Sequence, residues 1–349
     1  MQTIKKFASK LKDTKGDELA LPKGSLILVT GASGYIGSHV VNEALEAGYK
    51  VRGTARSQEK ADKTKKIFNN NPDYSTAIVE DFRHDGSFDE AVKGVDAVIH
   101  VASDTTFGTD PNEVIKPTVA GVLSILKSAH KEPSVKRFVL TSSSTAVLLP
   151  KLNQKFSVTA DDWNQEAIDL AWAPPPYEQS RAFAVYSASK TEGEKAMWKF
   201  VKENKVGFTA NAVLPNFNMG KILPGGSPGA TGVGVPMVAK GEVPRIGPQY
   251  MIDVIDDARL HVIAAALDPS VKNERIFAFN VPFNWTQIIK IIKEVRPDIT
   301  TVATPPENEG EDLSKVPNEL GAKLLKEWYG QDGYKPLEQS VLENLEGQL

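Results

Sequence analysis

SLILVTGASGYIGSHV, residues 25–40, joins two patterns of different period. Its first half is a continuous apolar run, Leu26 to Val29, as shown by a strand covered on both faces. Its second half continues as YIGSHVVNEALEAGY over 35–49. There Val40, Ala44 and Leu45 fall on one helical side, and Gly48 stands where a helix cap belongs. Between the halves lie Gly31, Gly34 and Gly37, a G-x-x-G-x-x-G triplet at a strand-to-helix turn. Small residues serve three needs there: a tight turn, a close backbone approach to an anion, and close packing of helix on strand. The helix start also presents free N–H groups to a phosphate. Gly31, Ser33, Gly34, Tyr35, Ile36 and Gly37 are therefore the expected pyrophosphate loop of a dinucleotide site, against the plainer reading of a turn without a ligand.

Beyond this unit the same alternation continues. KVRGTAR (50–56), STAIVED (75–81), DAVIHVAS (96–103), KRFVLTSS (136–143) and FTANAVLP (208–215) read as strands. NEVIKPTVAGVLSILKSAHK (112–131), bent near Pro117, and YSASKTEGEKAMWKFVKEN (186–204) read as helices. Alternating strands and helices mean crossover connections and a parallel sheet covered on both faces. After residue 215 the texture changes. LPGGSPGATGVG (223–234) is a Gly/Pro-rich loop, read either as a substrate flap or as an inert loop. IDDARLHVIAAAL (255–267) and RIFAFN (275–280) add a helix and a strand, and the tail 285–349 reads as mostly helical.

Composition narrows the function. The 349 residues are 41% apolar, enough for a sizeable core. A net charge of −3, from 41 basic and 44 acidic residues, argues against a general nucleic-acid surface. The absence of cysteine excludes disulfides, thiolate nucleophiles and Cys-ligated metals, and suits a reducing, cytoplasmic setting. The five histidines show no ligand spacing, so no metal is expected. No apolar run approaches the ~18 residues of a membrane span, and no membrane partner is expected. Residues 1–23 form a separate arm. Ile4, Phe7 and Leu11 share a helical face among lysines there, which leaves a weak membrane-surface helix as the lesser alternative.

The second strand speaks to the nucleotide. NAD binders usually place an acid there for the ribose hydroxyls. This chain has Arg56, with Lys60 soon after, which suits a 2′-phosphate and hence NADPH/NADP+; the alternative places both in the basic surface run 60–66. Asp81 and Phe82 end the third strand where an adenine could be flanked. Val101, Ala102 and Ser103 should pass under the cofactor.

Tyr186 and Lys190, four positions apart in YSASK, share a helical face that continues through Gly193, Met197 and Val201. A lysine on an apolar stripe is unusual. A phenol, ordinarily near pKa ~10, becomes a usable acid when an ammonium beside it favours phenolate. It can then protonate a carbonyl oxygen as hydride reaches the carbon. Ser142, Ser143 and Ser144, closing the strand VLTSSS, supply hydroxyls to hold that oxygen.

These motifs together resemble the short-chain dehydrogenase/reductase superfamily in its extended form, over nearly the whole chain from about residue 23. VTGASGYIGSHV, HVAS, NEVIKPTVAG, RFVLTSSS, YSASK and AVLPN are similar to the plant dihydroflavonol-reductase branch. RGTARSQEK and GPQYMIDVID are similar to yeast NADPH-dependent aldehyde/ketone reductases of that branch. The resemblance implies an α/β Rossmann fold, a doubly wound parallel sheet with a smaller, mainly helical substrate-binding lobe. The implied division is a Rossmann NADP-binding domain at 24–215, rejoined by 253–280, and a lobe at 216–252 and 281–349. The implied activity is reduction of a small-molecule aldehyde or ketone by a monomer or homodimer. Tyr186 would be the acid–base, Lys190 would lower its pKa and bond the nicotinamide ribose, and Ser143 would hold the carbonyl. Arg56 and Lys60 would contact the 2′-phosphate, and Pro215 and Asn216 would line the nicotinamide. Relatives often carry Asn where this chain has Ala120, so a relay must run through water or the Lys190 ammonium. TAVLLP replaces the polar residues that follow the serine strand in the plant enzymes, which favours an apolar carbonyl over a flavonoid.

Phe107, Ile246, Gln249 and Tyr250 are candidate substrate-pocket residues, or simply packing. GGSPG (225–229) matches G-x-S-x-G, but Pro228 has no N–H to give an oxyanion, so a hydrolase is rejected. Asp253, Asp256 and Asp257 read as a solvated helix start. The competing functions are a nucleotide-retaining epimerase or dehydratase, which Arg56 and Lys60 disfavour, and a non-enzymatic NADP sensor, which the presence of Tyr186 disfavours.

Overall fold

The computed structural model describes residues 19–348. The helical face read over residues 4–11 lies outside them. Residues 20 and 21 pair by backbone hydrogen bonds with Leu267 and Ala266, and Leu21 enters the core.

The first unit is β1 (Leu26–Thr30), the glycine turn and α1 (Tyr35–Glu46). Gly48 closes the helix at φ +86°, left-handed backbone that glycine adopts at no steric cost. β2 (Lys50–Ala55), α2 (Gln58–Ile67), β3 (Tyr74–Ile78), β4 (Ala97–His100), α3 (Pro111–Lys131), β5 (Arg137–Thr141), α4 (Gln165–Ala171), α5 (Ala182–Asn204) and β6 (Thr209–Pro215) follow. The chain then runs through β7 (Phe217–Met219), α6 (Gly234–Ala239), β8 (Gln249–Asp253), α7 (Val254–Val262), β9 (Arg275–Ala278), β10 (Pro282–Phe283), α8 (Trp285–Val295), α9 (Glu319–Tyr329) and α10 (Leu337–Leu345).

Seven strands form one parallel sheet in the order β3-β2-β1-β4-β5-β6-β9. Successive residues of β1 serve opposite layers, as the pleat requires. Ile27 and Val29 pack with Val40, Val41 and Ala44 of α1 and Ala258 of α7. Leu28 packs with Ile125 and Leu126 of α3 and Met197 of α5. The chain winds outward from β1 in one direction and from β4 in the other. A ligand crevice is expected outside the carboxyl ends of the strands at such a reversal. Thr30 and His100 face each other at that point.

Three helices were not foreseen, α2, α4 and α6, the last a six-residue piece directly after the glycine-rich loop. α2 buries only Ala61 and Thr64, so it carries almost no apolar period, although Ser57 caps its start by accepting from Lys60 N. α4 is short and is capped by Asn164. α5 begins four residues before the quoted stretch, because Ala182–Val185 continue its helical pattern. The tail is less helical than expected: α8, α9 and α10 are separated by an irregular run over 296–318. A three-stranded sheet, β10-β8-β7, supports the lobe. Its Phe217, Met251 and Phe283 pack with Trp285, Ile288 and Ile292 of α8 and Val341 of α10. Among the described residues no helix is long and apolar enough to cross a membrane.

The acidic cluster corrects a sequence expectation. Asp253 caps α7 by accepting from Ile255 N, but Asp253, Asp256 and Asp257 are all buried rather than solvated. Buried carboxylates need partners. Asp253 accepts from Ser340 Oγ at 2.8 Å and lies 2.9 Å from Lys335 Nζ. Asp256 accepts from Gln331 Nε2 and Lys335 N. Those partners come from residues 331–340, about 80 positions downstream, beyond the reach of local spacing.

Candidate active site

One cavity of about 550 Å³ runs over the carboxyl ends of the central strands. At one end it is floored by Gly31, Ser33, Gly34, Tyr35, Ile36 and Gly37. Gly37 shows why this turn needs glycine: a Cβ there would sit 2.1 Å from the Gly31 carbonyl oxygen. Gly34 is the N-cap of α1 and gives no side-chain bond to the helix start, and Gly34 to Gly37 line the cavity. Thr30 ties the neighbouring strands. Its hydroxyl meets His100 Nδ1 at 2.8 Å and accepts from the N–H groups of Val101 and Ala102.

Arg56 and Lys60 line the same cavity beyond β2. Phe82 lines it too, against Gly121, where a Cβ would approach the ring to 2.5 Å. Asp81 does not join the wall. Arg83 grips its carboxylate through two nitrogens at 2.8 and 2.7 Å, and His84 lies 3.2 Å away. The Arg83 guanidinium holds the Asp81 carboxyl well below the usual range. Val101, Ala102 and Ser103 form part of the floor. Ser103 Oγ is buried with no partner among the described residues.

The other end holds Ser143, Tyr186, Lys190, Pro215 and Asn216, with Phe107, Ile246 and Gln249. Tyr250 stays out of the wall; its hydroxyl donates to the Ser314 carbonyl. Tyr186 and Lys190 are brought together by α5, and Ser143 by the end of β5. Ser143 and the Tyr186 phenol are within hydrogen-bonding reach, and Thr145 Oγ1 donates to Ser143 Oγ at 3.0 Å. Lys190 Nζ donates to the Thr141 carbonyl at 3.2 Å. The hydroxyl of that threonine meets His261 Nε2 at 2.8 Å.

The electrostatics differ from the sequence expectation in one respect. Burial pushes the Tyr186 phenol up, and the Ser143 hydrogen bond only partly opposes it. Lys190 is not among the groups that move it. Burial instead lowers the Lys190 ammonium to about 8, opposed by Glu194. His100 is held neutral, its pKa lowered to about 3 by burial and then by the Lys190 charge.

Two rings flank the phenol. Phe107 lies 5.0 Å from Tyr186 between ring centroids, and Phe183 lies 6.4 Å away, nearly parallel. Phe183 was missed from sequence, although it stands three residues before Tyr186 on the same helix face. Phe107 adopts φ +54°, unusual for a bulky residue, and persists only where surroundings over-determine it. Ser227, Gly229, Ala230 and Thr231 of the glycine-rich loop also reach the cavity. Gly229 and Gly232 lie against Tyr35: a Cβ at Gly229 would come within 3.0 Å of the Tyr35 Cβ, and one at Gly232 within 2.9 Å of its ring.

Residues 27–219 match the sequence profile of the NAD dependent epimerase/dehydratase family. Aldehyde reductase 2 of Sporidiobolus salmonicolor is 40% identical over 335 residues, covering 94% of this chain and 97% of that protein. Ketoreductase nvfG of Aspergillus novofumigatus is 34% identical over 334 residues, covering 92% and 96%. Among solved structures, yeast methylglyoxal/isovaleraldehyde reductase Gre2 complexed with NADPH is similar with a TM-score of 0.76 and 28% identity. That match covers 93% of this chain and 100% of that one.

Proposed function

Since the chain belongs to the NAD dependent epimerase/dehydratase family, in its extended short-chain dehydrogenase/reductase form, we propose that it is an NADPH-dependent carbonyl reductase with Tyr186 as its general acid. The observation that carries this reading is the convergence of Ser143, Tyr186 and Lys190 at one end of a cavity whose other end is the glycine turn. The relatives named above as an aldehyde reductase and a ketoreductase, and the NADPH complex of a similar fold, support it.

The residues present fit the dinucleotide. The start of α1 offers N–H groups to the pyrophosphate. Ser103 Oγ, buried without a partner, is suited to a ligand hydroxyl or amide. Arg56 just past β2 and Lys60 in the first turn of α2 line the cavity, as do Pro215, Asn216 and Lys190. NADPH, when bound, supplies the hydride.

The protein supplies the rest. Ser143 donates a hydrogen bond to the carbonyl oxygen as negative charge develops there. Tyr186 passes its phenolic proton to that oxygen. Lys190, fixed by the Thr141 carbonyl, is assigned the phenolate-stabilising charge in the cofactor-bound state, although it does not move the phenol in this structure. Phe107 and Phe183 pack against the phenol ring and set the orientation of its hydroxyl. The product is the alcohol, with a defined configuration when the ketone is unsymmetrical.

The direct test is NADPH oxidation across aryl ketones, β-keto esters, α-dicarbonyls and dihydroflavonols. Absence of turnover on all four, with NADPH bound, would leave a cofactor-binding protein and end the reductase reading. Arg56→Ala is expected to raise KM for NADPH by about tenfold or more while leaving KM for NADH within about twofold. Equal effects on both cofactors would remove the 2′-phosphate role. The pH profile supplies another check. With Lys190 lowered to about 8, its ammonium is present below that pH and lost above it. kcat/KM for reduction should therefore fall as pH rises through about 8. A plateau persisting beyond about pH 10, the ordinary lysine range, would show that the Lys190 charge is not needed.

A further inference from the structure

Glu194 lies one helical turn beyond Lys190 on α5 and has no exposed surface. A buried carboxylate is costly unless fully paired. This one accepts from Ser142 Oγ at 2.6 Å, from Trp198 Nε1 at 3.0 Å, and from Arg275 Nε and Nη2 at 2.7 and 3.2 Å. Arg275 is itself fixed. It donates to the carbonyls of Ala160 and Asp162 and stacks 4.0 Å over the Trp163 ring. One carboxylate thus joins the end of β5, the middle of α5 and the start of β9. Its two key links fall beside the chemistry: Ser142 precedes Ser143, and Lys190 stands four residues before Glu194.

We propose that Glu194 is a positioning residue for carbonyl reduction: it fixes through Ser142 the strand end that carries Ser143, and its charge balances the buried Lys190 ammonium from one turn away. The inference rests on the reductase reading above. Glu194 does not form a direct ion pair with Lys190, because its oxygens are taken by Ser142, Trp198 and Arg275. It acts by holding Ser143 in register with Tyr186 and by its field on Lys190.

The other groups around Lys190 do not replace it. Tyr186 shares its helix, and β5 presents the Thr141 carbonyl and the Ser142 and Ser143 hydroxyls. β4 presents His100, which is neutral. β9 brings Arg275, a cation. α7 brings His261 behind the Thr141 hydroxyl, with Asp257 beside its far nitrogen. Of the carboxylates, Glu194 is the one that opposes the fall of the Lys190 pKa.

The test is Glu194→Gln in the full chain. kcat for reduction is expected to fall by about tenfold or more, with NADPH Kd, read by fluorescence, within about threefold. The alkaline limb of the kcat profile should move down by about one pH unit. The reason is that Arg275 is left unbalanced, and both ammonium and neutral phenol become harder to keep. Glu194→Asp, which retains the charge, should hold the limb at its wild-type position; a limb displaced as in the Gln variant would overturn the charge role. A folded Gln variant with native kcat and limb would overturn the whole inference. Should Glu194→Gln not fold, Ser142→Ala isolates the positioning half. There kcat should drop about threefold or more with the limb unmoved, and native kcat would overturn it. Wild-type protein inactive on every carbonyl strikes the reductase reading; wild-type and variant equally active strike Glu194 alone.

Discussion

Tyr186→Phe is expected to lower kcat for NADPH-dependent reduction by about 10²–10⁴-fold, the usual worth of a positioned acid. In barrier terms that is about 3–5 kcal/mol. The substitution removes one oxygen and keeps the ring, so the contacts to Phe107 and Phe183 survive. NADPH Kd should stay within about threefold, because the phosphate-binding end is untouched. Steady-state turnover and NADPH fluorescence titration on the same sample check both halves. Retained turnover would assign the proton to another group. The direction in which burial moves the phenol matters here. A raised pKa keeps Tyr186 protonated near neutrality, as a proton donor must be, and makes proton release the harder half of the step.

Gly37→Ala is expected to weaken NADPH binding by about 100-fold or more and to lower the melting temperature. The added carbon would lie 2.1 Å from the Gly31 carbonyl oxygen and 2.8 Å from its carbon. Both are backbone atoms, so strand and helix must part. Overpacking of this kind costs about 1–3 kcal/mol, and the displaced N–H groups no longer converge on a phosphate. Gly34→Ala is the control, since its Cβ would meet the same oxygen at 3.2 Å and needs only a small shift. Calorimetry with NADPH and thermal melts with and without it separate the two effects. Wild-type Kd in a folded Gly37→Ala protein would show that this turn does not hold the pyrophosphate.

The Rossmann half and the core of the site were legible because their determinants are local. A strand, a glycine turn and a helix fall within residues 25–49, and Tyr186 and Lys190 lie one turn apart. Arg56 and Lys60 follow from their place after β2, and both line the cavity. What sequence could not supply was pairing across distance. The buried state of Asp253, Asp256 and Asp257 depends on Lys335, Gln331 and Ser340. Glu194 drew no expectation from the sequence, because Arg275, its partner, is 81 positions away. Asp81, expected at the adenine end from its position, pairs with Arg83 two residues on, a contact the expectation did not include. α2 escaped notice because its buried side is two small residues wide. Phe183 had a readable signal, its spacing from Tyr186, but an aromatic one turn from a candidate acid is common enough to pass as filler.

The acidic start of α7 carries one more implication. Ser340 of α10 donates to Asp253, and Asn344 of the same helix donates to the Gly232 carbonyl at 2.9 Å. Gly232 belongs to the loop that leans on Tyr35 beside the nucleotide turn. α10 (Leu337–Leu345) is therefore a clasp on the loop beside the glycine turn, although it lies about three hundred positions from Gly37 along the chain. Changes to Leu337–Leu345 would reach the pocket by mechanical leverage, through Ser340 and Asn344.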